Sequence, residues 1–155
     1  MALLDDDRLT AVGLFLEAHD GLVSALERAL DEDCGMSRQW FEILLRLARS
    51  PRHSLRMCDL AAQTGLSPSG LTRAVDRLEA VELVRRRSCP SDRRVAYAEL
   101  TPLGLERVTS AAEIHLSHID EHFIAHLSRA ELDQLERITR KLRDQLRPNA
   151  ALVTR

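Results

Sequence analysis

Serine, threonine and arginine side chains between residues 60 and 81 have the spacing expected of a segment that contacts nucleic acid. Gly65 allows a tight turn between two short helices, Ser67 can cap the second helix, and Pro68 suits its first position. At about 100° per residue, this helix (67–81) divides into an apolar and a polar side. The candidate DNA contacts lie at its start and along its polar side: Ser67, Pro68, Ser69, Gly70, Thr72, Arg73 and Arg77. These residue types predict a recognition helix that enters the major groove of double-stranded DNA.

More arginines follow on a predicted β-hairpin, the wing (84–100). Its strands are separated by the turn residues 90–92. Arg93 or Arg94 at the tip is predicted to reach an adjacent minor groove, where the negative potential attracts arginine. Arg86, on the first strand, is predicted to contact a phosphate. Helix and wing together predict a winged helix-turn-helix.

The elements around this module predict a mainly α (α+β) fold. Apolar stripes indicate a long helix over 8–30 and two more over 102–126 and 129–147, while 38–48 reads as a buried helix. Because the stripes of the terminal helices extend beyond the small module, a second copy of the chain is expected to cover them in an intertwined homodimer. The chain is predicted to divide into a dimerisation helix (1–35), a DNA-binding lobe (36–100), dimerisation helices (101–147) and a tail (148–155).

Composition narrows the function further. The 155 residues carry a net charge of −2, yet the segment 49–107 has 11 arginines against 7 acidic residues, and local charge governs phosphate binding. Five aromatic residues are too few for a platform that stacks single-stranded bases, which favours duplex DNA. No catalytic motif, cofactor motif, signal peptide or apolar run of about 20 residues is recognised, so we expect a cytoplasmic protein that is not an enzyme and binds no membrane.

Four histidines form a second candidate site, on the helix 102–126. His115, His118, His122 and His126 follow one another at three- and four-residue intervals, so neutral imidazoles along this stripe could share a zinc ion. The other reading places them beside the apolar face of the helix, with no carboxylate or cysteine to complete a tetrahedral site. The second reading is favoured, and no metal is predicted.

The segment LAAQTGLSPSGLTRAVDRLEAVELVRRRSCPSDRRVAYAELTPLG resembles the MarR family of bacterial transcription regulators, most specifically in its recognition helix, the DRR wing tip and the LTPLG that opens a long helix. The resemblance implies a homodimeric repressor on a pseudo-palindromic operator with half-sites about 34 Å apart. Release by a small, often phenolic, effector is also implied. By analogy, the effector pocket would be walled by Phe15, His19, Trp40 and Leu44. Glu82 stands where many members have glycine.

Two other functions stay open on the sequence alone. A winged-helix module could bind a protein and no DNA, although the basic strand and wing argue against this. A metal-responsive or redox-responsive regulator is the other alternative. Cys34, Cys58 and Cys89 are read as reduced thiols, of which Cys89, in the wing, is the more exposed redox candidate.

Overall fold

The computed structural model describes residues 4–88 and 95–147. Its helices are α1 (Asp7–Cys34), α2 (Arg38–Ala48), α3 (Met57–Thr64), α4 (Pro68–Ala80), α5 (Pro102–His122) and α6 (Arg129–Leu146), and its strands are β1 (Ser54–Arg56), β2 (Val84–Ser88) and β3 (Ala96–Leu100). The predicted mainly α fold with a winged helix-turn-helix is confirmed. Arg93, Arg94 and Cys89, like the predicted tail 148–155, lie outside the described residues.

The three strands form one antiparallel sheet in the order β1-β3-β2. Arg86 of β2 is paired with Ala98 of β3, and Leu55 of β1 is paired with the same residue from the other side. The sheet therefore anchors the predicted hairpin to the strand that precedes the helix-turn-helix.

Side-chain caps start several of the helices, and the cap that the sequence predicts at Ser67 is one of them. The hydroxyls of Ser67 and Thr101 accept hydrogen bonds from the amides of Gly70 and Gly104. Ser128 and Glu131 form a reciprocal capping box at the start of α6, and the hydrogen bonds from Ser128 lower the pKa of Glu131. Local sequence therefore determines these helix starts.

Two predicted helix ends need correction. α1 continues beyond residue 30 to Cys34, because Gly35 adopts a left-handed conformation (φ 56°) and its amide closes the last turn onto Asp31 and Leu30 carbonyls. α5 ends at His122, four residues early, because Phe123 leaves helical geometry (φ −135°). His126 consequently lies in the separate 3₁₀ turn Ile124–His126.

The core lies where α2, α3 and α4 meet the sheet. Ile43, Leu44, Leu60, Leu71 and Leu78 are almost fully buried there. The same core also takes in the end of α1 and the first half of α5, through residues such as Leu30 and Val108. The lobe and the long helices therefore share one hydrophobic core.

Large apolar side chains remain exposed on α1 and α6. They include Leu9, Val12, Phe15 and Leu16 on α1, and Ile138, Leu142 and Leu146 on α6.

α1 is also long and apolar enough to cross a membrane, which corrects the expectation that no such run exists. By itself this is weak evidence of a membrane span, because apolar helices of soluble proteins meet the same criterion.

The turn between α4 and β2 holds Glu82 in the left-handed region, at φ 60°. A residue with a Cβ is strained there, whereas glycine is not. We expect Glu82→Gly to raise the free energy of unfolding by about 1 kcal/mol, measured by urea denaturation. Glu82→Ala keeps a Cβ and is the matched control. Equal stabilisation by both substitutions would contradict this account.

Candidate nucleic-acid interface

α4 has one face in the core and one in solvent, as the sequence predicts. Leu71, Ala74, Val75 and Leu78 are at most 1% exposed. Ser69, Thr72, Arg73 and Arg77 are exposed on the opposite side. Since four buried side chains fix the rotation of the helix, its polar face has a defined direction.

The arginines on this polar face are available to a ligand. Within 4–88 and 95–147, neither Arg73 nor Arg77 forms an ion pair. The Thr72 hydroxyl donates to the Pro68 carbonyl at 2.9 Å, which leaves its oxygen able to accept. Two guanidinium groups and two hydroxyls on one helix face are the groups that read guanine edges and bind phosphates.

Hydrogen bonds at the start of α4 limit the backbone amides that a phosphate can reach. The Gly70 amide donates to the Ser67 hydroxyl at 3.1 Å. Ser67 Oγ also lies 3.3 Å from Ser69 Oγ. The two serines therefore order the start of the helix. Of the Ser69 and Gly70 amides, only that of Ser69 remains for a phosphate.

Arg86 holds β2 against α4. One guanidinium nitrogen lies 2.5 Å from the Asp76 carboxylate, and another donates to the Thr72 carbonyl at 3.0 Å. The Arg86 amide donates to the Glu79 carboxylate at 2.9 Å. These contacts engage both terminal guanidinium nitrogens of Arg86 within the protein, and its predicted phosphate contact stays a prediction. We assign Arg86 to positioning the recognition helix relative to the wing.

The neighbouring arginines of β2 are held by the sheet. Arg85 and Arg87 lie 2.8 Å and 3.5 Å from the Glu99 carboxylate, and Arg87 also lies over the Tyr97 ring at 4.9 Å. Hydrogen bonding from Arg85 lowers the pKa of Glu99. The pairing of Arg85 and Arg87 with Glu99 was not predicted from the sequence. Opposite charges at facing positions of the predicted hairpin were the available signal.

Thr101 and Gly104 join the wing to α5. The Thr101 hydroxyl donates to the Glu82 carbonyl at 2.7 Å, and the Thr101 amide donates to the Leu83 carbonyl at 3.1 Å. A Cβ on Gly104 would lie only 2.0 Å from the Leu83 carbonyl oxygen. The LTPLG motif therefore has a structural basis, since only glycine allows this approach of helix and strand.

A cavity of about 480 Å³ lies between the long helices and the lobe. Its charged wall includes Arg38, Arg46, Arg49, Arg143 and Arg147 together with Glu42, which pairs with Arg38 and Arg46, and its apolar wall includes Val23, Leu26, Phe41 and Leu45. Gln63 of α3 also lines it, is 4% exposed, and has a side-chain oxygen without a hydrogen-bond partner in the described structure. Mixed apolar and cationic walls suit a small anionic molecule.

The four residues predicted to wall an effector pocket do not line this cavity. Leu44 is fully buried in the core, and Trp40 packs against that core. Phe15 and His19 are exposed on α1, where the His19 ring contacts Asp20 at 3.0 Å. The single chain therefore does not place these side chains around the described cavity, and their role stays a prediction.

The remaining candidates lie around α5 and the end of α1. His115 packs on the Phe41 ring at 4.7 Å, and burial lowers its pKa. His118 and His122 come close to Glu121, which corrects the expectation that no carboxylate accompanies the histidines. Burial raises the pKa of the Cys34 thiol, which disfavours the reactive thiolate.

Comparisons with known proteins agree with this geometry. Residues 35–95 match the MarR family profile. AbsC, a MarR family transcriptional regulator from Streptomyces coelicolor, is 35% identical, with a TM-score of 0.86 over 92% of this chain and 96% of that chain.

The chain belongs to the MarR family.

Two further MarR-related proteins illustrate the likeness. A second MarR family regulator from Streptomyces coelicolor, solved in complex with DNA, is 33% identical, with a TM-score of 0.86 over 95% of this chain and 92% of that chain. The transcriptional repressor MprA of Escherichia coli K12 is 33% identical over 112 residues, or 72% of this chain. That match spans 63% of the length of MprA.

Proposed function

We propose that this MarR family protein is a cytoplasmic transcriptional repressor that binds a pseudo-palindromic DNA operator as a homodimer. The outward face of α4 carries the proposal, because Arg73, Arg77, Ser69 and Thr72 are exposed together above a buried inner face. The repressor name of MprA and the DNA complex of the Streptomyces regulator support the same activity.

Exposed apolar stripes on α1 and α6 support the dimer. No residue of α6 is buried, although its leucines and Ile138 follow one helical face. A second copy of the chain would cover both stripes. Two recognition helices would then face successive major grooves, about 34 Å apart.

Arg77→Ala tests the assigned base contact. We expect it to reduce discrimination between operator and unrelated duplex by about 1–3 kcal/mol, since a bidentate arginine contact distinguishes guanine from other bases. Fluorescence anisotropy with both duplexes measures the ratio. Arg137→Ala, an exposed arginine on α6, is the control for loss of one positive charge.

Two outcomes would contradict this role. One is an equal loss of affinity for operator and unrelated duplex on Arg77→Ala. The other is a wild-type operator affinity that does not fall as salt rises, because phosphate binding releases counterions. The second outcome would favour a winged-helix module that binds protein rather than DNA.

The cavity between α6 and the lobe is our proposed effector site. It contacts α3 through Gln63 and α6 through Arg143 and Arg147, so a ligand there touches both a dimerisation helix and the helix-turn-helix. The proposed effector has an apolar body and an anionic group, because five arginines against one glutamate, Glu42, surround an apolar wall.

Matched aromatic carboxylates and carboxamides test the effector class. We expect the carboxylates to raise the melting temperature and release operator DNA, whereas the neutral amides have weaker effects because they lack the charge. Arg49→Ala should weaken carboxylate binding by about 10-fold or more. Arg137→Ala is the control. Equal binding of acids and amides would overturn the proposed class while leaving DNA binding intact.

A further inference from the structure

His118, Glu121 and His122 form a compact cluster on the last turns of α5. One possible ligand atom from each residue lies within 4.8 Å of those of the other two. The two imidazole rings lie almost parallel, with centroids 5.7 Å apart. His115, which packs on Phe41, and His126, which lies beyond the end of the helix, are not part of this cluster.

Asp33 joins this cluster from the last turn of α1. Its carboxylate lies 2.8 Å from His118 Nε2, although the two residues are 85 positions apart. When Nε2 donates to Asp33, the neutral ring keeps its lone pair on Nδ1. Nδ1 is buried and has no hydrogen-bond partner in the described ranges. A carboxylate paired with one ring nitrogen is the usual partner of a histidine that binds metal through the other.

The other side chains are accessible to an ion from solvent. Glu121 and His122 are exposed, while the His118 side chain is 23% exposed and that of Asp33 is 48% exposed. Tetrahedral zinc with bonds of about 2.0 Å would bring its ligand atoms to about 3.3 Å apart. We expect the exposed Glu121 and His122 side chains to make this adjustment by rotating toward Nδ1 of His118.

The position of the cluster is fixed by a second contact between the same two helices. Arg107 of α5 donates to the Cys34 carbonyl at the end of α1, at 2.6 Å. This bond lies beside Asp33 in sequence and satisfies a carbonyl at the helix end. Asp33 is therefore held near α5 independently of its contact with His118.

We propose that His118, Glu121 and His122, oriented by Asp33, bind a divalent metal ion of the zinc class. Imidazole and carboxylate ligands suit zinc, and water can complete the coordination. The ion would lie on the last turns of α5, with Asp33 at the C-terminal end of α1 orienting one of its ligands. This site is separate from the proposed DNA-binding face of α4, so a test of zinc binding does not depend on the proposed DNA binding.

Zinc titration of the full-length, EDTA-treated and dialysed protein tests the site. We expect isothermal titration calorimetry to give one zinc per chain. His122→Gln should weaken binding by about 10-fold or more, and Asp33→Asn by about 10-fold, because both ligands and their carboxylate partners contribute to metal affinity. His126→Gln, in the next turn of the chain, is the matched control and should bind zinc as the wild type does.

Folding is checked separately for each variant by thermal unfolding in EDTA. His122 is exposed, so we expect His122→Gln to leave the melting temperature unchanged. A loss of zinc binding by this variant is then a loss of a metal ligand and not of folding. Lack of zinc binding by the wild type would overturn the proposal. Unchanged binding by His122→Gln, or equal weakening by His126→Gln, would also overturn it.

Discussion

Gly104→Ala is expected to cost about 3 kcal/mol of folding free energy. A methyl group there would meet the Leu83 carbonyl oxygen at 2.0 Å and the Leu100 side chain at 2.8 Å. The Leu83 carbonyl oxygen belongs to the backbone and already accepts a hydrogen bond from the Thr101 amide. Rotation of a side chain therefore cannot relieve the clash. Thermal and urea unfolding should show a melting temperature lower by roughly 10 °C.

Gly21→Ala is the matched control for this substitution. Its added Cβ would meet no atom within 4 Å in the chain, and alanine is the better helix former. We therefore expect the control to be neutral or slightly stabilising. If the two variants unfold at the same temperature, the close approach of α5 and β2 is not what requires glycine in LTPLG.

Leu142→Glu is expected to separate the homodimer and to weaken operator binding on the order of 100-fold. Leu142 is 45% exposed in the single chain, beside the exposed Ile138, and a carboxylate there would be desolvated by a second copy. A monomer offers only one recognition helix and loses the gain from binding two half-sites. Sedimentation velocity and fluorescence anisotropy measure the two effects.

Arg137→Glu places the same carboxylate on the opposite face of α6 and is the control. We expect it to remain dimeric and to keep most of its operator affinity. A dimeric Leu142→Glu variant would show that the α6 stripe does not form the interface. A monomeric variant with unchanged operator affinity would instead contradict binding as a homodimer.

Local sequence patterns predicted the winged helix-turn-helix well, because the residues that determine its helices and strands are close in sequence. Ser67 and Pro68 define where α4 begins, and a 3.6-residue period defines which side of α4 is buried. The strands of the wing were equally recognisable, from alternating residues on both sides of a turn. In these elements, neighbours along the chain supply the deciding interactions.

Predictions that depended on distant residues were less successful. Arg86 contacts Thr72 because β2 packs against α4, and this packing is not visible in the sequence. Asp33 likewise contacts His118, which is 85 residues away along the chain. Phe15 looked like a pocket or core residue, yet it is exposed in the single chain. Apolar periodicity does not distinguish a face that packs within one chain from a face that packs against a second copy.

The bond network of Arg86 has a mechanical consequence for regulation. Since this side chain joins the first wing strand to the recognition helix through Asp76 and Thr72, we expect these two elements of one subunit to move together. We therefore expect the proposed effector to lower operator affinity by changing the distance between the two recognition helices of the dimer, so that they no longer match the helical repeat of B-form DNA.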